Sequence, residues 1–324
     1  MSAAGQPAAV GAAHHAGGAL DLILPAALLL AAAGYLLLAV RPGERSWPLR
    51  RTVAFTTGAG LVWWALLGPL THTASYAASA PFSAHMAQHL LVGMLGPYLM
   101  VLGAPMRLVL AKGPARWRTR VAGLLHTRYV RVISRPEVAL FLSVGTLPVL
   151  YGTGLFAATA HTPWLHAVLH WHYLASGYLF AWVICGPDPA PSRPGVPVRL
   201  VVLGVAIAVH ASVSQLLYAG WFAIEAEGAD LRLGATLMYY GGDLVELALA
   251  LTLVAGWCAR RSGRGLRSIG PFDRPCTAAV APGRPDAGHW PHTPIPAPSS
   301  PSSAALLSPS PPTRHHRPRH PPSP

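Results

Sequence analysis

The stretch HMAQHLLVGM, His85 to Met94, sets two imidazoles and a carboxamide in otherwise apolar sequence. It lies inside a longer run, Thr52 to Met106, that contains no Asp, Glu, Lys or Arg. Across the whole chain 52% of residues are hydrophobic and only 11% are charged. A soluble domain carries about 25% charged residues. The apolar residues come in blocks of membrane-crossing length, at about 19–40, 52–70, 85–110, 137–154, 164–185, 199–219 and 235–258. About twenty residues at 1.5 Å each cross the roughly 30 Å of hydrocarbon in a bilayer. A segment in hydrocarbon must satisfy its own backbone hydrogen bonds, so each block is expected to be a helix. The expected fold is an all-α membrane protein, a bundle of seven transmembrane helices.

The formal net charge is +13. Its distribution points away from nucleic acid. Basic residues crowd alternate connections: Arg41, Arg45, Arg50 and Arg51 in the first, and Lys112 to Arg135 in the third. Arg193 and Arg199 follow in the fifth, and Arg260, Arg261, Arg264 and Arg267 come after the last block. The second and fourth connections have none, and the sixth sets Arg232 among Glu225, Glu227 and Asp230. Such alternation marks the inner side of a membrane. It places the N-terminus outside and the C-terminus inside, with the basic segments against anionic lipid. A multi-pass membrane protein, with lipid and no nucleic acid as partner, is the expectation.

Three regions follow: an extracytoplasmic segment over 1–18, the helical domain over 19–258, and a cytoplasmic tail over 259–324. The tail is rich in Pro and Ser and is expected to be disordered, because it cannot bury enough apolar surface to offset its chain entropy. No basic residue precedes the first apolar block, so that block is expected to remain in the protein rather than to be cleaved as a signal. Within the third connection, GPARWRTRVAGLLHTRYVRVISRP spaces Trp117, Val121, Leu124, Leu125 and Tyr129 among arginines. That spacing predicts a basic amphipathic helix lying on the inner membrane surface. The three cysteines form no CxxC, which argues against a disulfide or a thiolate metal site.

The chain has sixteen histidines. Outside the tail, the orientation set by the arginines alone puts nearly all of them toward the outer face. His85 and His89 stand at i and i+4, hence on one helix face, with Gln88 sharing much of it. His166 and His170 repeat that spacing in the fifth block. His210 lies near the middle of the sixth block, and Asp243 and Glu246 at i and i+3 lie deep in the seventh. Polar groups at such depth face a bundle interior or a wet cavity. Interhelical hydrogen bonding would explain any one of them. The set together reads as a metal site, with His85, His89, His166, His170 and His210 as ligands and the carboxylates as supporting partners. Imidazole suits copper, zinc, iron and nickel. Met86, Met94 and Met238 share the outer regions and would favour Cu(I), although Met is also a common core filler.

No nucleophile elbow, Walker loop, HExxH or GxGxxG occurs, so no enzymatic activity is expected. HMAQHLLVGMLGPYLMVLGAPMRLVL (85–110) resembles the third-span signature of the CtaG family of multi-span cytochrome c oxidase assembly factors. HTPWLHAVLHWHYLASGYLFAWVICGPDPAP (161–191) resembles its second signature, histidines leading into a helix that ends in a Gly-x-Asp-Pro turn. LYAG (217–220) and DLRLGATLMYYGGDLVELALAL (230–251) are similar to its last segment. Where the family pattern carries polar residues such as Gln after the Asp, Leu231 and Arg232 stand here. The resemblance implies that His85, Gln88, His89, His166, His170 and Asp230 occupy family positions. It also implies assembly of the haem–copper oxidase at the stage of copper insertion, with oxidase subunits as partners. Two other readings fit the same residues. A haem b electron carrier could use His89 with His170 or His210 as axial ligands. A proton-coupled transporter could use Asp243, Glu246 and His210.

Overall fold

The computed structural model describes residues 7–42, 46–68 and 82–268, with side chains described from Leu22 onward except at 160–161 and 262–268. His14, His15 and His161 are therefore placed by backbone only, and His72 and the tail from residue 269 lie outside the described residues. The chain divides into two units, Met1–Gly270 and Pro271–Pro324. Only the first is described below.

Every regular element among the described residues is helical. We label them α1 (Pro7–Val40), α2 (Leu49–Leu67), α3 (Phe82–Leu90), α4 (Gly96–Leu102), α5 (Pro105–Lys112), α6 (Ala115–His126), α7 (Arg128–Ile133), α8 (Pro136–Leu140), α9 (Thr146–Gly152), α10 (Leu155–His161), α11 (Pro163–Ile184), α12 (Val196–Tyr218) and α13 (Gly228–Ser268). Two π-helical turns, Leu91–Leu95 and Phe141–Gly145, join α3 to α4 and α8 to α9. Each of the seven apolar blocks falls on a helix or on helices running into one another. Four stretches are long and apolar enough to cross a membrane: Leu22–Val40, Phe82–Lys112, Val196–Tyr218 and Gly228–Arg261. Pro136–Gly152 is apolar but shorter. The last helix continues past residue 258 to Ser268.

The helices differ because their surroundings differ. α1, α12 and α13 turn large apolar side chains outward, among them Leu30, Leu37, Val201, Leu244 and Leu251. In water such a surface would be a liability, whereas in hydrocarbon it needs no cover. α11 touches α1, α4, α8, α10, α12, α13 and both π turns. It buries residues around its whole circumference over its second half, Leu179 to Ile184. Its enclosed faces carry His170, Tyr173, Ser176 and Trp182, whereas Trp164, Val168 and Trp171 of its first half face outward.

Two glycine contacts set its position. A Cβ on Gly177 would lie 1.8 Å from the carbonyl oxygen of Gly93, in the π turn. Only glycine allows that approach of two backbones, as small residues do between membrane helices. A Cβ on Gly58 would likewise lie 2.6 Å from the Gly96 carbonyl, which seats α2 on α4.

At the basic end, long side chains close helix C-termini. Lys112 donates to the carbonyls of Ala39 (3.2 Å) and Arg41 (2.8 Å) at the end of α1. Arg193 and Arg199 donate to Trp182 O (2.6 Å) and Ile184 O (2.7 Å) at the end of α11. Cations there satisfy orphan carbonyls and complement the helix dipole. The third connection forms α6 and α7, with Trp117, Leu124 and Tyr129 exposed.

Candidate functional site

α3 starts the site. Its N-terminal amides are not capped locally but by Asp230 in the first turn of α13. The Asp230 carboxylate accepts from the backbone N–H and hydroxyl of Ser83 and from the backbone N–H of Phe82. A carboxylate suits a helix N-terminus. Asp230 is thus an anchor for the helix that bears the histidines.

One turn on, His85 is buried against the ring of Phe156 at 4.9 Å between centroids. Gln88 is 1% exposed and donates from Nε2 to Ala65 O of α2 at 2.9 Å, while its Oε1 has no hydrogen-bond partner. Gln88 therefore ties α3 to α2. His89 lies edge-on to Tyr173 of α11, 4.5 Å between ring centroids. The π turn follows directly after His89 and Leu90, and its widened backbone reaches Gly177, one turn below Tyr173. π turns of this kind recur at functional sites.

On α11, His166 and His170 stand edge to face with ring centroids 4.3 Å apart. His170 is buried and His166 partly so. His85 lies within electrostatic reach of both, and His89 within reach of His85 and His210. The structure thus brings imidazoles of α3, α11 and α12 into one neighbourhood. His210 rests directly on Gly242 of α13, where an added Cβ would lie 2.0 Å from its Cε1. Glu246, 1% exposed, follows Gly242 by one helical turn on the same face, and Asp243 is half-buried beside it.

Several of these polar atoms are buried without a hydrogen-bond partner: His85 Nε2, His89 Nδ1, both ring nitrogens of His210 and Glu246 Oε2. Leaving a polar group unsatisfied in a low-dielectric interior costs roughly 1–3 kcal/mol each. Their unused donors and lone pairs suit a small ion, a proton or water. Among the described residues no three His, Cys, Asp or Glu side chains are grouped so as to hold one metal ion. The imidazoles come as neighbouring pairs and singles, not as a closed cage.

The sequence did not mark Tyr173 and Tyr151 as members of this region. Tyr151 directs its hydroxyl at the Met86 sulfur, 3.9 Å away. Tyr173 follows His170 by three residues, so the helical period that paired the histidines also carried it toward the same side. The Asp of the Gly-x-Asp-Pro turn acts at the opposite end. Asp188, 1% exposed, accepts from the backbone N–H of Met106 (3.0 Å) and Arg107 (2.9 Å) and so caps α5.

The sequence is 30% identical over 270 residues to the uncharacterized protein ML1998 of Mycobacterium leprae. It is 32% identical over 267 residues to the uncharacterized protein Mb0105 of Mycobacterium bovis. In each case 75% of this chain is matched to 40% of the relative, so the chain spans about two fifths of these relatives' length. No solved structure matches the chain. The model of the cytochrome c oxidase caa3 assembly factors matches residues 32–260, which take in every helix that bears the site, and the chain belongs to that family.

Proposed function

We propose that this protein is a seven-span protein of a bacterial plasma membrane, N-terminus outside and C-terminus inside, that serves assembly of a haem–copper cytochrome c oxidase. It takes copper as cargo at the outer-half imidazoles and passes it to an oxidase subunit, without catalysing a reaction of its own. The family and the alternation of basic connections support this reading. The observation that carries the copper part is the set of buried imidazole nitrogens without partners on His85, His89 and His210. Imidazole binds copper well. Ligands in pairs rather than a closed cage suit an ion that must leave again. Gln88, Asp230 and Gly177 then act on position, holding α3 against α2, α13 and α11.

Purified protein loaded with Cu(I) is expected to retain about one ion per chain, lost on replacing both His85 and His89 by Ala. Equal retention by the two proteins would remove the copper part. Cells lacking the gene are expected to lose assembled oxidase and its copper, which tests the assembly part separately. One observation favours a second reading. Glu246 is buried without a partner for Oε2, one turn from the His210 contact, as in a proton path. Proton flux in proteoliposomes that vanishes in Glu246→Gln would support it.

A further inference from the structure

At the end of the bundle opposite the imidazoles lies a cavity of about 720 Å³, within the range of small-molecule sites. Six arginines line it: Arg50 and Arg51 from the start of α2, Arg107 from α5, Arg193 from the turn after α11, Arg199 from the start of α12 and Arg260 from α13. Five separate segments of the chain therefore supply cations to one space. Among the described residues no carboxylate lines it. Asp188 lies within electrostatic reach of Arg107 and Arg193, with both oxygens engaged by the backbone N–H groups of Met106 and Arg107.

Arg193 and Arg199 each spend one terminal nitrogen on a carbonyl of α11, and both have a buried Nε with no hydrogen-bond partner. Arg199 is only 6% exposed. Helix capping thus explains one donor on each and leaves the rest of the fork unexplained. Burial, followed by the neighbouring Arg199 charge, lowers the Arg193 guanidinium to about 10. Like charges gathered this closely repel, and an anion among them would relieve the repulsion.

We infer that this cavity binds a phosphate-bearing anion with several negative charges, provided by the head group of an anionic phospholipid or by a soluble phosphate. The guanidinium fork matches phosphate oxygens two at a time. A phosphate monoester brings up to two charges and three terminal oxygens, and a phosphodiester one charge and two, so a ligand with two or more phosphate groups answers six arginines better than a single carboxylate. Basic pockets between membrane helices take acidic lipid head groups in this way.

The full-length protein in detergent can be titrated with diphosphatidylglycerol, phosphatidylcholine and inorganic pyrophosphate. Saturable binding of diphosphatidylglycerol, with none of phosphatidylcholine, identifies a lipid source. Binding of pyrophosphate instead identifies a soluble source. In either case Arg193→Gln with Arg199→Gln is expected to weaken binding by about tenfold or more per arginine. Because those two residues also cap α11, Arg50→Gln with Arg107→Gln, both exposed, is the second variant and decides alone if the first does not fold. Absence of binding to either phosphate ligand, or unchanged affinity in the folded Arg50/Arg107 variant, overturns the inference.

Discussion

The imidazole end and the arginine end of this bundle are built alike and loaded differently. At each, an aspartate from a distant segment caps a helix start: Asp230 holds Phe82 and Ser83, and Asp188 holds Met106 and Arg107. What lies beside the cap differs. One end gathers histidines, among which His85, His89 and His210 bury ring nitrogens without hydrogen-bond partners. The other gathers permanently charged arginines around a cavity, with helix carbonyls as partners for two of them. A guanidinium cannot shed its charge, so it sits where helix termini and water can meet it. Imidazole can be neutral, so it can be carried inward. Position along the bundle thus separates the two chemistries, and the same capping device serves both ends.

The largest test of this contrast removes the loaded groups. Replacing His85 and His89 together by Ala is expected to lower assembled oxidase about tenfold or more at unchanged protein level. Replacing Arg50 and Arg107 by Gln should leave copper retention unchanged. If both pairs act alike on copper, the two ends are not functionally separate.

Next in size is the helix contact that seats the histidine region. Gly177→Ala puts a methyl where the Gly93 carbonyl stands and is expected to cost about 1–3 kcal/mol in thermal unfolding of the detergent-solubilised protein. Gly60→Ala has open space and is the control, with an effect near zero or slightly stabilising.

The two caps should separate more finely. Asp188→Ala is expected to cost about 1–2 kcal/mol, and Asp230→Ala less, because Asp188 is buried and Asp230 half-buried. An equal or reversed order would contradict the burial. Burial also raises the Asp188 carboxyl above the ordinary carboxylate range, against the two N–H donors that pull it down. The folded state then holds the proton more tightly than the unfolded chain. Its contribution is greatest below the unfolded value and is lost as pH rises through the raised one. Asp188→Asn is expected to remove that part of the slope in unfolding midpoint against pH. The smallest effect is Lys112→Ala, about 0.3–1 kcal/mol, through loss of the α1 carbonyl contacts.

The sequence by itself determined that the chain is helical, where the apolar stretches fall, and which side chains share a helix face, but not the breaks within the 85–110 and 137–154 blocks or the short helix Leu155–His161. Those properties depend on hydropathy over about twenty residues and on a period of 3.6. His85 with His89, and His166 with His170, were paired by that period alone. Hydropathy marked α11 as the apolar block 164–185 but not that its second half is enclosed by other helices. Only the tertiary structure decided that Asp230 anchors α3, that Gln88 reaches Ala65, that His210 rests on Gly242, and that arginines from five segments enclose one space. The reason is range. A helix is made by neighbours in sequence, whereas the hydrogen bonds among these meetings join residues 23 positions apart, Gln88 to Ala65, and 148 apart, Phe82 to Asp230. They depend on how closely two backbones approach, as at Gly93 and Gly177, and no local pattern encodes that distance.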